Sequence, residues 1–261
     1  MLLCVVVVRG VTQLRDVVYM VCYESSAIRR FNATTHARLT DINVKDMTAP
    51  GDIAACTQTS QLYVPDWLAA CIWRVSSNGK DVKRWWTQSE SDEFRPRTLS
   101  VTSSRLLVTS CDTGELLQLD VSGDEVRRVR LPDYMDLARH AVESVTGTFI
   151  VSHLNTQLND QCQVSEVNNT TGDVLRQFSP SSLGVPSHIA SDSQGNIIVA
   201  DSGNRRILLL DDQLALRRVI IDERQLNYER QPWRLCYMQH TGQLLVALAD
   251  SNVVMVFDVL E

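Results

Sequence analysis

The fold is decided by residues 185–211, Val-Pro-Ser-His-Ile-Ala-Ser-Asp-Ser-Gln-Gly-Asn-Ile-Ile-Val-Ala-Asp-Ser-Gly-Asn-Arg-Arg-Ile-Leu-Leu-Leu-Asp. The stretch reads as three strands. Ile189 and Ala190 end the first, residues 193–196 turn, 197–200 form the second, 201–204 turn again and 207–210 form the third. Gly195 and Gly203 supply the backbone freedom that tight turns need. The second and third strands are continuous apolar runs, Ile-Ile-Val-Ala and Ile-Leu-Leu-Leu. An antiparallel sheet with one wet face alternates polar and apolar residues. These strands do not, so both faces of the sheet require cover.

The cover comes from further copies of the same unit. With Ile207 as the marker, equivalent third strands occur at Ile28, Ile72, Leu116, Val164 and Val254, at spacings of 44, 44, 48, 43 and 47 residues. Second strands follow in register at 18–21, 62–64, 106–109, 149–152 and 244–247. Pro50, Pro96, Pro186 and Pro232 precede first strands, where a missing N–H costs nothing. In five copies a turn then leads to a fourth strand. A period of 40–50 residues with four short strands per unit predicts a β-propeller. The expected fold is all-β: one domain over residues 1–261, six blades of four antiparallel strands. The sixth copy lacks its own fourth strand, and residues 2–8 are spare and apolar. They are expected to complete that blade, close the ring and remove an exposed edge.

Net charge is −6, which disfavours a dedicated nucleic-acid binder. The apolar start is seven residues long, too short for a membrane span and without the basic lead and cleavage site of a signal peptide. Seven scattered cysteines, none in a Cys-x-x-Cys pair, read as reduced thiols. Cys22, Cys71, Cys111 and Cys236 lie in or beside strands. The expected location is cytoplasmic. The sequons at Asn32, Asn168 and Asn169 fall in turns, where Asn belongs anyway.

Three basic groups, Lys83-Arg84, Arg127-Arg128-Val129-Arg130 and Arg217-Arg218, suggest RNA, and Trp85 and Trp86 suggest a stacking surface. Their phase says otherwise. With Arg38 and Arg176 they fall on fourth strands, where Lys and Arg block edge-to-edge pairing.

The tight turns occupy one face of the ring. Longer connections, at 41–50, 87–95, 132–139, 179–185 and 222–231, occupy the other, with the loop 154–163. Long loops on a rigid scaffold carry binding. The five blade links hold ten acids, among them Glu90, Asp92 and Glu93, against five bases, a net −5 of the chain's −6. Such a face fits a protein partner with a basic or polar segment. Inner strands start at this face. Asp52, Thr98, His140 and Arg234 align with His188; Asp66, Ser110 and His153 align with Asp201. These positions are the candidate channel mouth. Asp52, His140, His153 and His188 are also donors of the right type for a metal, with water-satisfied channel lining as the plainer reading, so no cofactor is expected. No Gly-x-Ser-x-Gly, His-Glu-x-x-His or phosphate-loop motif occurs.

The run Asp201-Ser202-Gly203-Asn204-Arg205-Arg206-Ile207, together with Pro186-Ser187-His188-Ile189-Ala190 and Asp192-x-x-Gly195-Asn196, resembles the NHL repeat. Blade two keeps Pro50, Ile53, Val64 and Asp66; the other blades keep the apolar frame. The resemblance implies a six-bladed propeller like the C-terminal domain of tripartite-motif proteins. There the propeller is a substrate-recognition head for protein or RNA, and upstream RING, B-box and coiled-coil segments carry the ubiquitin chemistry. Related propellers that are lactonases or lyases use a channel metal. The expectation is a non-enzymatic protein-recognition module, with an RNA-binding head as first alternative and a metal-dependent hydrolase or lyase as second.

Overall fold

A computed structural model describes residues 2–3, 7–102, 104–110, 112–159, 161–239 and 241–259. Blade one is built from strands Val8–Leu14, Val17–Cys22, Ala27–Asn32 and Arg38–Asn43. Blade two follows with Ala54–Cys56, Gln61–Asp66, Cys71–Ser76 and Val82–Thr87. Blade three holds Pro96–Thr102, Arg105–Ser110, Glu115–Asp120 and Glu125–Arg130. Blade four holds Met135–Glu143, Phe149–Asn155, Gln161–Val167 and Val174–Phe178. Blade five holds Pro186–Ser191, Ile197–Asp201, Arg206–Leu210 and Leu216–Ile221. Blade six holds Pro232–Met238, Gln243–Leu248 and Val253–Asp258. Each blade pairs its strands antiparallel in chain order. Every marker residue and every basic group named above lies on the strand assigned to it. Pro96, Pro186 and Pro232 open inner strands, and Pro50 makes an isolated bridge to Asp66.

Six buried clusters account for the continuous apolar runs, because each straddles two neighbouring blades. In blade five Ile197 and Val199 pack toward blade four, whereas Ile198 and Ala200 pack toward blade six. A strand sandwiched this way buries both of its faces, and each fully buried Ile or Val contributes about 1.5–3 kcal/mol. Val8, Val18 and Met20 of blade one meet Leu245, Ala247 and Val254 of blade six, which brings the last blade against the first.

The closing strand is described only in part. Leu2 and Leu3 pair antiparallel with Val254 and Val253. Residues 1 and 4–6 lie outside the described residues. Val8 does not belong to that strand: it opens the inner strand of blade one opposite Cys22.

Two further expectations change. Asp41 is not in a link; it sits on the outer strand of blade one, paired with Arg29 and Arg38. The link after blade three ends early, because the inner strand of blade four already begins at Met135. Nor do the tryptophans form an open stacking surface. Trp85 packs edge-on against Tyr63 and Trp86 against Phe94.

Candidate functional site

Every inner strand carries one extra residue, or more, just before its central position. The register steps from Val8↔Cys22 to Gly10↔Val21, from Pro96↔Ser110 to Thr98↔Thr109, from Pro186↔Asp201 to His188↔Ala200 and from Pro232↔Leu248 to Arg234↔Ala247. Blade four does the same more widely, from Asp136↔Leu154 to His140↔Ser152. Blade two steps from Pro50↔Asp66 to Ala54↔Tyr63. A bulge bends its strand and re-aims a side chain. Here it brings one residue of each blade to a common level of the channel: Gly10, Asp52, Thr98, His140, His188 and Arg234. Blade one contributes no side chain, and none would fit. A Cβ on Gly10 would lie 2.6 Å from the Ile53 nitrogen.

Asp52, His140, His188 and Arg234, aligned with one another in the sequence, lie together in the channel. All four are buried, and one donor atom each from Asp52, His140 and His188 lies within 4.8 Å of the others. Asp52 Oδ2 stands 3.7 Å from His188 Nε2 and 3.9 Å from His140 Nε2, and Oδ1 stands 3.8 Å from Arg234 Nε. The two imidazoles stack, centroids 3.6 Å apart and planes 27° from parallel. Burial raises the Asp52 pKa, against the pull of Arg234 and His140. Burial drives both histidines well below their ordinary value; His188 adds to this for His140, and Arg234 for both. Both rings are therefore held toward their uncharged form, and the Asp52 carboxyl faces the Arg234 guanidinium.

The donor types suit a divalent metal, and the hydrogen-bond partners of the rings favour one tautomer in its absence. The Leu235 N–H donates to His188 Nδ1, 3.4 Å away, so the ring's own proton sits on Nε2. His140 Nε2 faces the Leu99 carbonyl oxygen at 3.5 Å, a contact the ring makes when protonated at Nε2. In that tautomer the nitrogens nearest Asp52 turn N–H groups toward the carboxylate, and an ion held there would shift those protons to Nδ1. The 3.7 and 3.9 Å separations also exceed the roughly 3.4 Å between ligands of a tetrahedral ion with bonds of about 2.1 Å. As arranged, the cluster sets two imidazoles and the Arg234 guanidinium around one carboxylate, with donor atoms of the right types for an ion and slightly wider apart than a tetrahedral site needs.

The channel cavities correct the expected direction. The cluster opens onto a 200 Å³ cavity lined by residues further along the inner strands, such as Ala55, Val101, Val142 and Ser191, toward the face of the tight turns. Arg234 shuts the cluster off from the link face, where a separate 150 Å³ cup lies above it.

The other candidates stay apart. His153 is fully buried on the second strand of blade four, with Nδ1 on the Leu154 carbonyl at 2.9 Å and Nε2 on Ser165 Oγ at 2.8 Å. Asp66 and Asp201 are loop anchors. Asp66 accepts from the Thr48 and Ala49 amides and the Thr48 hydroxyl, at 2.7–3.0 Å. Asp201 accepts from the Gly184 amide, Asn204 Nδ2 and Arg206 Nε, at 2.8–2.9 Å. That network is the physical content of the NHL-like motif in blade five.

Glu90, Asp92 and Glu93 sit on the link between blades two and three. Beside it lies a 530 Å³ cleft, lined among others by Asp92, Glu93, Asp112, Glu115 and Asp133, with Arg128 and Arg130. Sequence reasoning missed the central contact. Arg128, assigned to edge protection, grips Asp92 with two hydrogen bonds of 2.8 and 3.0 Å and also reaches Glu115 and Glu125. Hydrogen bonding from Arg128 holds the Asp92 carboxyl below its usual range. Glu90, Glu93 and Asp133 remain exposed.

Solved structures share this architecture at low identity. It is the six-bladed propeller of enzymes and binding proteins alike. A gluconolactonase from Xanthomonas campestris superposes with a TM-score of 0.73 at 12% identity, over 96% of this chain and 85% of that one. Virginiamycin B lyase from Staphylococcus aureus gives 0.69 at 12%, over 98% and 86%. A chain of the nidogen/laminin complex gives 0.68 at 14%, over 88% and 84%. No family model and no curated protein matches the sequence.

Proposed function

We propose that the protein is a non-enzymatic recognition module that binds a basic or polar segment of a protein partner on its link face. The observation that carries this reading is the 530 Å³ cleft between blades, with five carboxylates against two guanidiniums on its walls. Asp92 and Arg128 hold the cleft's shape, and exposed Glu93 and Asp133 give it charge. An acidic concavity on a rigid ring attracts Lys and Arg and repels phosphate. The NHL-like motif of blade five is consistent with the substrate-recognition head of a tripartite-motif-type ubiquitin ligase. Burial pushes the Cys71 and Cys236 thiols up to about 11, which fits a reduced, cytoplasmic protein.

The test compares the intact propeller with Glu90→Lys/Glu93→Lys, which leaves Asp92 on Arg128. Lys/Arg-rich peptides should bind the first with a salt-dependent affinity and the second at least about tenfold more weakly. Equal binding would remove the link face from consideration. Single-stranded RNA binding with a steep salt slope would favour the RNA-head reading instead.

A metal-dependent channel enzyme is the second reading, favoured by one observation, the convergence of Asp52, His140 and His188. It requires both imidazoles to give up their Nε2 protons. Zinc or manganese that raises the melting temperature of the intact protein, but not of His140→Gln, would support it.

A further inference from the structure

The link-face cup above Arg234 has the opposite charge to the links around it. Its walls come from inner-strand starts of four blades: Arg97 and Thr98, Arg139, Ser187, and Trp233 with Arg234. Three guanidiniums therefore meet at one mouth of the channel. Among the described residues one of them lies against a carboxylate, Arg234 against Asp52. Among the described residues neither Arg97 nor Arg139 forms an ion pair or a side-chain hydrogen bond. Two N–H groups are left over inside. Arg139 Nε and Trp233 Nε1 are buried without a hydrogen-bond partner, a costly state that a bound acceptor would relieve.

The hydroxyls of the cup add no competing demand. Thr98 donates to the Arg139 carbonyl at 3.0 Å, and Ser187 donates to the Pro232 carbonyl at 3.1 Å. Among the described residues that line the cup there is no acceptor with negative charge. The volume, 150 Å³, equals about five waters at roughly 30 Å³ each. That admits one oxyanion group. Planar guanidinium forks match carboxylate and phosphate oxygens. A long polyanion would have to cross the acidic links, whereas a single anionic group need only enter the mouth.

We propose that this cup, built by Arg97, Arg139, Arg234 and Trp233, is a binding site for a single carboxylate or phosphate group. The site is separate from the acidic cleft and does not rest on the peptide-binding reading.

The experiment titrates the intact protein with inorganic phosphate and, separately, with acetate in low-chloride buffer, followed by calorimetry and by thermal shift. One of the two anions should bind saturably with a dissociation constant of about 1 mM or tighter. Preference between them assigns the group as phosphoryl or carboxyl. Arg97→Gln/Arg139→Gln should weaken that binding at least about tenfold. Both side chains are at least partly exposed and unpaired, and an unchanged urea melt of the apo variant verifies that the ring is intact. Arg139→Lys should fall between, because it keeps the charge and loses the fork. Absence of saturable binding for both anions, or undiminished binding in the folded double variant, would overturn the proposal.

Discussion

Arg234 of blade six reaches across the channel to blade two, its Nη2 3.5 Å from the Gly51 carbonyl oxygen and its Nε 3.8 Å from Asp52 Oδ1. The contact spans 183 residues of sequence. It places a buried charge pair on the axis of the ring and divides the channel into two cavities.

Removing one member should therefore cost more than removing both. Asp52→Asn takes the Asp52 charge away from the buried Arg234 guanidinium, and Arg234→Met takes the guanidinium away from Asp52. Each single change is expected to lose about 3–5 kcal/mol, whereas Asp52→Asn/Arg234→Met should recover most of that loss. Urea melts of the three variants measure it. Strictly additive losses would mean that the two groups do not interact.

Stability should fall on mild acidification. His140 and His188 have folded pKa values well below the ordinary 6.5, so below that pH the unfolded chain binds protons that the folded ring refuses. The histidine contribution is complete above pH 6.5 and is lost as pH falls toward the folded values, at up to about 1.4 kcal/mol per pH unit for each ring. Asp52 acts in the opposite sense. Its folded pKa is raised, so it takes up a proton before the unfolded chain does and offsets part of the loss at lower pH. Urea midpoints should drop between pH 7.5 and 5.5, and the drop should shrink in His140→Gln/His188→Gln. A flat profile would mean that the rings charge freely in the folded state.

The repeat was legible because a two-faced core writes continuous apolar runs at a fixed spacing, and Ile197–Asp201 sends alternate residues to opposite neighbours. The channel cluster was legible for a related reason: strand starts align, so His140, His188 and Arg234 could be set at one level. Its chemistry was not. The bulges that aim these side chains leave no compositional mark, and the protons on Nε2 depend on Leu235 and Leu99 of other blades. Arg128 looked like any edge-strand cation because its partner Asp92 lies 36 residues away, on the link that leads into its blade.

Asp201 offers a sharper test of what the NHL-like motif does. Its buried carboxylate joins the Gly184 amide, Asn204 and Arg206. Asp201→Ala should cost about 3 kcal/mol, because it takes the carboxylate from three donors, one of them the Arg206 cation. The loss should be local. Hydrogen exchange at the Gly184 amide should accelerate strongly while Ile198 in the blade stays protected. Unchanged exchange at Gly184 would show that the link is held by other contacts.

The last prediction concerns ring closure. Blade six has three strands of its own, and Leu2 and Leu3 pair with its outer member, Val253–Asp258. Deleting residues 1–6 should leave the ring assembled, since Val8, Val18 and Met20 still pack on Leu245 and Val254. It should also expose an apolar edge, a template for pairing between molecules. The melting temperature is expected to fall by about 5–10 °C, corresponding to a loss of a few kcal/mol in a chain of this size, and size-exclusion profiles should shift toward dimers. An unchanged melt with an unchanged elution volume would mean that the N-terminal strand contributes nothing to closing the propeller.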